Sequence, residues 1–96
     1  MICLGIESTA HTASLSLVED KGKILTEVRD MYTTSKGGII PMECAKHHKK
    51  VFPELLKKIN EDFDLKKIDI IAFSQSPGLS PCLVEGMKFA KQLSKK

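Results

Sequence analysis

Polar side chains that could carry chemistry cluster between Glu7 and Thr12, directly after the first apolar run of the chain. Glu7 and His11 supply a carboxylate and an imidazole, side chains that commonly transfer protons in enzymes. With the hydroxyl groups around them, they could position a phosphate, a metal-bound water or a carbamoyl group. The alternative is that the hydroxyls only satisfy N–H groups of a turn and that His11 is an exposed loop residue. The hydroxyl groups are those of Ser8, Thr9 and Thr12.

A second polar stretch, at residues 74–78, follows a short apolar run and precedes a predicted helix. Ligands of open α/β sheets bind beyond the carboxyl ends of strands, and free N–H groups at a helix N-terminus favour anions. Ser76, Pro77 and Gly78 are therefore candidates for a loop that faces a ligand. A tight connection that needs Pro77 and Gly78 only for its turn would explain the same residues equally well.

The histidines and cysteines show no metal-binding pattern, and no metal is predicted within this chain. His47 and His48 are adjacent, so on a helix they point in different directions and do not easily bind one ion together. His48 is predicted to be a hydrogen-bonded core residue, and His47 to lie in water on the polar side. The cysteines are far apart among apolar neighbours, which predicts reduced core thiols: Cys3, Cys44 and Cys82.

The polar clusters must be positioned by the strands and helices that the apolar pattern predicts. Residues 2–7 and 12–19 read as strands that a short turn joins into a hairpin, and residues 23–32 form a third strand. Gly22 supplies the positive φ that the second turn needs. Three consecutive strands with short turns make an antiparallel meander.

Two helices with a strand between them follow in the second half. Pro41 suits the first turn of a helix that carries a broad apolar face up to Phe63, and Pro53 predicts a bend on its polar side. Residues 68–73 are mostly apolar without alternation, as in a parallel strand that is covered on both faces. Ser80 is predicted to cap the last helix. Its inward stripe is Leu83, Met87, Ala90 and Leu93.

Composition and charge are those of one small folded domain of 96 residues. No apolar run is long enough to cross a bilayer, and no basic and apolar leader opens the chain, so a cytoplasmic protein without membrane contact is predicted. The net charge of +3 is uneven, because eleven of the fifteen basic residues follow Ala45. A basic half could face RNA phosphates, although lysines at helical spacing usually form a solvated face.

Three motifs occur in an order and spacing that resemble the start of a known family. They are Ile6–Thr12, then Gly37–Pro41 with His47 and His48, and then Ala72–Leu79. The chain resembles the archaeal and eukaryotic tRNA threonylcarbamoyladenosine synthase subunit, the catalytic protein of the KEOPS complex. The resemblance implies an α/β fold that begins a ribonuclease-H-like, actin-like ATPase lobe. Residues 1–96 would form part of this N-terminal lobe, in the order β-β-β-α-β-α with a mixed sheet, and no second domain would be present.

The resemblance also implies an activity and its site. The family moves a threonylcarbamoyl group from its adenylate to N6 of the adenosine beside the tRNA anticodon. His11, with Glu7, becomes the first catalytic candidate, because related bacterial enzymes have an acidic residue near the reacting centre at about this place. ATP or threonylcarbamoyl-adenylate would lie between two lobes, and a divalent metal would be held by a His-x-x-x-His pair beyond residue 96. No cofactor is therefore expected within this chain, which is predicted to be inactive alone.

Departures from the family pattern leave a second interpretation open, namely a truncated, non-catalytic paralogue that acts as an interaction or dimerisation module. The predicted parallel strand would also have an open apolar edge, which suggests an unfinished lobe. The family usually has histidine, arginine, glycine, glycine and arginine at Ile40, Met42, Ser76, Ser80 and Val84.

The partners implied by the resemblance are tRNA, in the full complex, and the small KEOPS dimerisation subunit. The helix pair is the expected contact surface, either for that subunit or for a second copy of the chain. Phe89 projects off the centre of the inward stripe of the last helix, which makes it a candidate interface anchor. Boundary core is the other interpretation of Phe89.

Overall fold

Alternation of apolar and polar residues builds an antiparallel meander at the start of the chain. The computed structural model describes residues 1–8, 11–34, 40–74 and 80–94. Strands β1 (Ile2–Glu7), β2 (Thr12–Glu19) and β3 (Ile24–Met31) pair in sequence, both pairs antiparallel. Gly22, in the turn between β2 and β3, has a φ of 83°, which is the conformation expected for it. The predicted meander is confirmed.

Helix α1 (Pro41–Asp62) covers one face of the meander. It begins at the predicted Pro41 and runs unbroken through Pro53, whose side chain lies on the exposed side. Proline has no N–H to donate in the helix, and water can solvate the carbonyl left without it. The helix ends where the Phe63 N–H bonds to the Ile59 carbonyl, at 3.0 Å. Its buried face is Cys44, Ala45, His48, Val51, Phe52, Leu55 and Ile59.

Strand β4 (Ile70–Phe73) lies parallel to β1 at the edge of the sheet, which has the order β3-β2-β1-β4. It begins two residues later than predicted. The Ile68 N–H donates to the Leu65 carbonyl in a 3₁₀ turn at Leu65–Lys67 and is therefore not available to the sheet. The Asp69 N–H donates to the Ile2 carbonyl at 2.8 Å. Helix α2 (Ser80–Ser94) follows. The predicted order β-β-β-α-β-α and the mixed sheet are confirmed.

The core lies between the sheet and the two helices, and it includes Phe89. This side chain is only 7% exposed, and its ring stacks on Phe52 with centroids 5.1 Å apart. The prediction of Phe89 as an exposed interface anchor is therefore wrong for this chain. α2 packs against both α1 and the sheet, so its buried stripe is rotated from the predicted one and runs along Cys82, Gly86, Phe89 and Ala90. None of the helices in the described residues is long and apolar enough to span a bilayer.

Candidate functional site

The hairpin tip and the connection from β4 to α2 meet at one edge of the sheet. Because β1 and β4 are parallel, their carboxyl ends lie at the same edge. The Ser74 N–H donates to the Ile6 carbonyl at 2.9 Å, and the Ser8 N–H donates to Ser74 Oγ at 3.0 Å. The fold thus joins the two polar stretches that the sequence identified separately, at the position where α/β sheets bind ligands.

His11 is exposed at this edge, immediately before β2. Its Nδ1 lies 2.7 Å from Thr12 Oγ1, and its carbonyl accepts a hydrogen bond from the Tyr32 N–H at 2.6 Å. The bond to Thr12 engages Nδ1, so Nε2 is the ring nitrogen that remains for a ligand. Thr12 is half-buried, and its hydroxyl is hydrogen-bonded to the imidazole. This hydroxyl therefore orients His11.

Glu7 is the last residue of β1 and is half-buried on the face of the sheet opposite the helices. It lies across from Ser14 in the β1–β2 register. Glu7 also interacts with another group of the chain. Glu7 and His11 therefore flank the hairpin tip from its two strands, and Glu7 has a structural partner in this arrangement.

Ser8 continues the alternation of β1 for one residue and faces the helices with Leu4 and Ile6. It is fully buried, and its Oγ has no hydrogen-bond partner among the described residues. A Cβ at Gly86 would lie 2.2 Å from Ser8 Oγ, so α2 is seated directly on this serine. The prediction that the Ser8 hydroxyl faces a ligand is wrong, because the pleat directs it into the core.

A second polar group is buried between the first turns of α1 and α2, where Cys44, His48 and Cys82 are each 0% exposed. Their potential ligand atoms all lie within 4.8 Å of one another, and Cys44 Sγ is 3.7 Å from His48 Nε2. Burial, together with the hydrogen bond and charge of the Cys82 thiol, raises the pKa of Cys44 to about 12. Sequence spacing does not predict this group, because only Cys44 and His48 share an i,i+4 helix face and Cys82 comes from another helix.

His48 is the hydrogen-bonded core histidine that the sequence predicts, whereas His47 is not in water. The His47 side chain is 17% exposed and lies between two partners. Its Nε2 is 2.8 Å from Asp30 Oδ1 on β3, and its Nδ1 is 2.8 Å from His48 Nδ1. The end of β3 reaches over the polar side of α1 and shields His47, which helical periodicity alone does not show.

The sequence profile of the tRNA N6-adenosine threonylcarbamoyltransferase (TsaD) family matches residues 23–96. The chain belongs to this family. The resemblance noted from its motifs is thereby confirmed, and with it the correspondence to the N-terminal part of the threonylcarbamoyltransferase subunits.

Curated relatives match nearly the whole chain but are much longer than it. A tRNA N6-adenosine threonylcarbamoyltransferase of Methanopyrus kandleri is 44% identical over 98% of this chain and 28% of its own length. The corresponding protein of Thermococcus sibiricus is 49% identical over 86% of this chain and 26% of its length. A probable bifunctional tRNA threonylcarbamoyladenosine biosynthesis protein of Methanocaldococcus jannaschii is 45% identical over 98% of this chain and 18% of its own length. The chain therefore spans less than a third of the relatives it matches.

Solved structures agree on the fold. YeaZ from Pseudomonas aeruginosa superposes with a TM-score of 0.70, at 17% identity, over 99% of this chain and 38% of its own. A second solved structure, of a protein described as similar to the peptidase YeaZ from Pseudomonas aeruginosa, superposes with a TM-score of 0.64 at 19% identity. It covers 98% of this chain and 38% of its own. At these identities the likeness shows the fold alone, which is an α/β arrangement of a mixed four-stranded sheet and two helices.

In this threonylcarbamoyltransferase family member, a small cavity of about 200 Å³ lies where β4 ends and α2 begins. A larger groove of about 670 Å³ is lined mostly by apolar residues near Asp69, at the opposite end of the sheet from His11. The small cavity is the relevant one here, because it adjoins Ser74 and the hairpin tip. Thr9, Ser76, Pro77 and Gly78 lie outside the described residues, and their assignment to ligand-facing loops stays a prediction. The small cavity is lined by Phe73, Ser74, Ser80, Leu83, Val84 and Met87.

Proposed function

We propose that this chain supplies the first part of the catalytic lobe of a threonylcarbamoyltransferase that modifies tRNA in the cytoplasm. The observation that carries the proposal is the family match over residues 23–96, on a fold that brings the hairpin tip to the β4–α2 connection. The reaction is the transfer of a threonylcarbamoyl group from its adenylate to N6 of the adenosine beside the anticodon. N6 bonds to the carbamoyl carbon and loses a proton, and AMP leaves.

His11 is the side chain through which this chain would act on the reacting group. In the proposal, the Thr12 hydroxyl donates to His11 Nδ1, which fixes the neutral tautomer that carries its proton on Nε2. That N–H can then donate to the carbamoyl oxygen, on which negative charge develops as N6 attacks. Thr12 is a positioning residue here, because it sets the orientation and tautomer of the imidazole.

The nucleotide and the divalent metal of the family fit this chain only in part. The hairpin tip offers one end of a nucleotide site, whereas a useful site encloses most of its ligand. Among the described residues, the one group of three potential metal ligands is Cys44, His48 and Cys82, which is buried between the two helices and includes neither Glu7 nor His11. The proposal therefore assigns the metal to parts of the family fold other than these residues, and no step is derived through it.

Partner binding belongs to the same proposal. The helix pair would contact a KEOPS-type small subunit or a second copy of the chain, with tRNA bound by the whole assembly. Since Phe89 is buried, exposed apolar side chains at the helix starts are the better anchors. Met42 on α1 is 64% exposed and Val84 on α2 is 40% exposed.

The proposal can be tested by transplanting the chain into a longer relative. In the Methanopyrus kandleri protein, which is 44% identical to this chain, the matching segment would be replaced by residues 1–96. Transfer of labelled threonylcarbamoyl to tRNA is then measured in the presence of the partner proteins that this relative needs. The chimera is expected to be active, and His11→Ala is expected to lower the rate by about 100-fold or more.

Matched variants separate the role of His11 from general damage to the fold. Thr12→Val removes the hydroxyl at nearly constant shape and is expected to lower the rate, whereas Thr12→Ser keeps the hydroxyl and the rate. Lys50→Ala, on the exposed side of α1, is the neutral control. A folded chimera that binds tRNA and its partners but transfers nothing would contradict the catalytic proposal and favour the interaction module. Full activity of the His11→Ala chimera would remove His11 from the mechanism.

A further inference from the structure

The buried group of Cys44, His48 and Cys82 is a candidate metal site that the proposed function does not use. From the positions of these side chains, we propose that the chain binds one Zn²⁺ between the first turns of α1 and α2. The ligand atoms would be Cys44 Sγ, Cys82 Sγ and His48 Nε2. The site would join the two helices at the end nearest the hairpin tip.

The distances between the ligand atoms suit a tetrahedral ion. With Zn–S bonds of about 2.3 Å and Zn–N bonds of about 2.1 Å, tetrahedral angles separate ligand atoms by about 3.5–3.8 Å. Cys44 Sγ and His48 Nε2 are 3.7 Å apart, and all three ligand atoms lie within 4.8 Å of one another. Side-chain rotations that move the ligand atoms by about 1 Å or less would therefore place them at three corners of a tetrahedron around the ion.

A chain of hydrogen bonds presents His48 in the tautomer that a metal requires. With Asp30 ionised and both rings neutral, His47 donates its Nε2–H to Asp30 Oδ1 at 2.8 Å. His47 Nδ1 then accepts from the Nδ1–H of His48, also at 2.8 Å. His48 Nε2 is left with its lone pair towards Cys44 Sγ. Metal-binding histidines are typically held in this way, by a carboxylate or another acceptor on the second ring nitrogen.

The location and the ligand types both favour a thiophilic ion. Cys44 and Cys82 lie in the first turns of their helices, and a bound Zn²⁺ would itself supply the positive charge that stabilises both thiolates. Two thiolates neutralise one Zn²⁺, so the buried site would carry no net charge, and binding releases the two thiol protons to solvent. A set of two sulfurs and one imidazole selects Zn²⁺ over Mg²⁺ or Ca²⁺, which prefer oxygen.

Cobalt binding to the reduced 96-residue chain tests the proposal directly. Co²⁺ should bind at one equivalent, with thiolate charge-transfer absorption and the visible bands of a tetrahedral ion, and Zn²⁺ should displace it. Cys44→Ala and Cys82→Ala should abolish both signals. Cys3→Ala is the matched control, because Cys3 lies on β1 away from the group, and it should bind like the parent chain.

A variant at the surface keeps the test independent of folding. Asp30 is 46% exposed and touches no ligand atom of the proposed site, yet it ends the hydrogen-bond chain. Asp30→Ala should weaken Zn²⁺ binding by about 10- to 100-fold with an unchanged circular dichroism spectrum. Asp30→Asn keeps an acceptor for His47 and should recover part of the affinity.

Three outcomes would overturn the metal site. The first is a reduced, folded chain that shows no thiolate–cobalt absorption. The second is equal binding by the parent, Cys44→Ala and Cys82→Ala chains, which would place the ion elsewhere. The third is isolation of the chain from cells with a Cys44–Cys82 disulfide, seen as a mass lower by two hydrogens, which would make the pair a redox link instead.

Discussion

A single methyl group added at Gly86 would test how α2 is seated on the end of β1. Gly86 is buried, and a Cβ at this position would lie 2.2 Å from Ser8 Oγ and 3.2 Å from Ser8 Cβ. Non-bonded atoms do not approach as closely as the added Cβ would approach Ser8 Oγ, so Gly86→Ala must displace either α2 or the Ser8 side chain. The perturbation is small and local, because only one side chain of β1 stands in the way.

The expected free energies follow from two opposing effects. Overpacking of a core costs about 1–3 kcal/mol, while replacing glycine by alanine inside a helix gains about 1 kcal/mol. Gly86→Ala should therefore lower the free energy of unfolding by roughly 0–2 kcal/mol. Ser8→Ala removes a buried hydroxyl that has no partner among the described residues, which should gain about 1 kcal/mol.

The double variant Ser8→Ala/Gly86→Ala tests the contact between α2 and Ser8 most directly. With Ser8 Oγ gone, the nearest approach is the Cβ–Cβ distance of 3.2 Å, which a shift of a few tenths of an ångström relieves. The double variant should then keep both gains and be about 1–2 kcal/mol more stable than the parent, with a favourable coupling of about 1–3 kcal/mol. Urea unfolding followed by circular dichroism measures this. The melting temperature should shift by about 4–8 °C for each kcal/mol in a domain of this size.

Ser14→Ala is the matched control, because Ser14 lies in the same hairpin but on the opposite face of the sheet. Combined with Gly86→Ala, it should give additive free energies. If Gly86→Ala shows no coupling to Ser8→Ala, or if Ser8→Ala and Ser14→Ala couple to it equally, α2 is not seated on Ser8. The account of why Ser8 is buried would then be wrong as well.

Two further predictions concern the helix pair and the end of β3. Phe89→Ala should lower the free energy of unfolding by about 3–5 kcal/mol, because it removes the ring that stacks on Phe52. Val84 is exposed on the same helix, so Val84→Ala should change the free energy by less than about 0.5 kcal/mol. A Phe89→Ala chain as stable as the parent would contradict the core assignment. Tyr32 is the only tyrosine and tryptophan is absent, so phenolate absorption reports this residue alone. Burial, followed by the hydrogen bond and charge of Glu43, raises the pKa of Tyr32 above its usual value. Glu43→Gln should therefore lower the titration midpoint without bringing it fully back, and an unchanged midpoint would disprove the contact. Because the folded pKa is raised, the associated stability is present below about pH 10 and is lost as pH rises through the folded pKa.

The strands and helices were largely predictable because their signals are local. The alternation of β1 and β2 set their bounds, and Pro41 and Gly22 marked a helix start and a turn through their own backbone preferences. The start of β4 was not predictable from apolar residues alone. Its first paired residue depends on the long-range bond from Asp69 to Ile2.

The candidate sites depended on contacts that no local signal reports. Continued alternation could have placed Ser8 in the core, but its polar neighbours suggested a ligand. The apolar pattern predicts the wrong stripe for α2 because Gly86 and Cys82 are small, and small residues indicate a close helix contact only when the packing is known. For the same reason, nothing in the spacing of Cys44 and Cys82 indicated that α1 and α2 would bring them together.

The position of β4 beside β1 also has a consequence for the order in which the chain folds. β1 and β2 are joined by four residues, whereas the bond from Ser8 to Ser74 closes a loop of 66 residues. Closing the longer loop costs about 2.5 kcal/mol more chain entropy, and the partners for it appear only after α1 has been synthesised. We expect the meander to form early and β4 to dock last, so that β1 amides facing β4 gain protection from hydrogen exchange after those facing β2. During synthesis, the edge of β1 would therefore stay open to other strands until residue 73 has left the ribosome, which is the interval in which this chain is most exposed to mispairing.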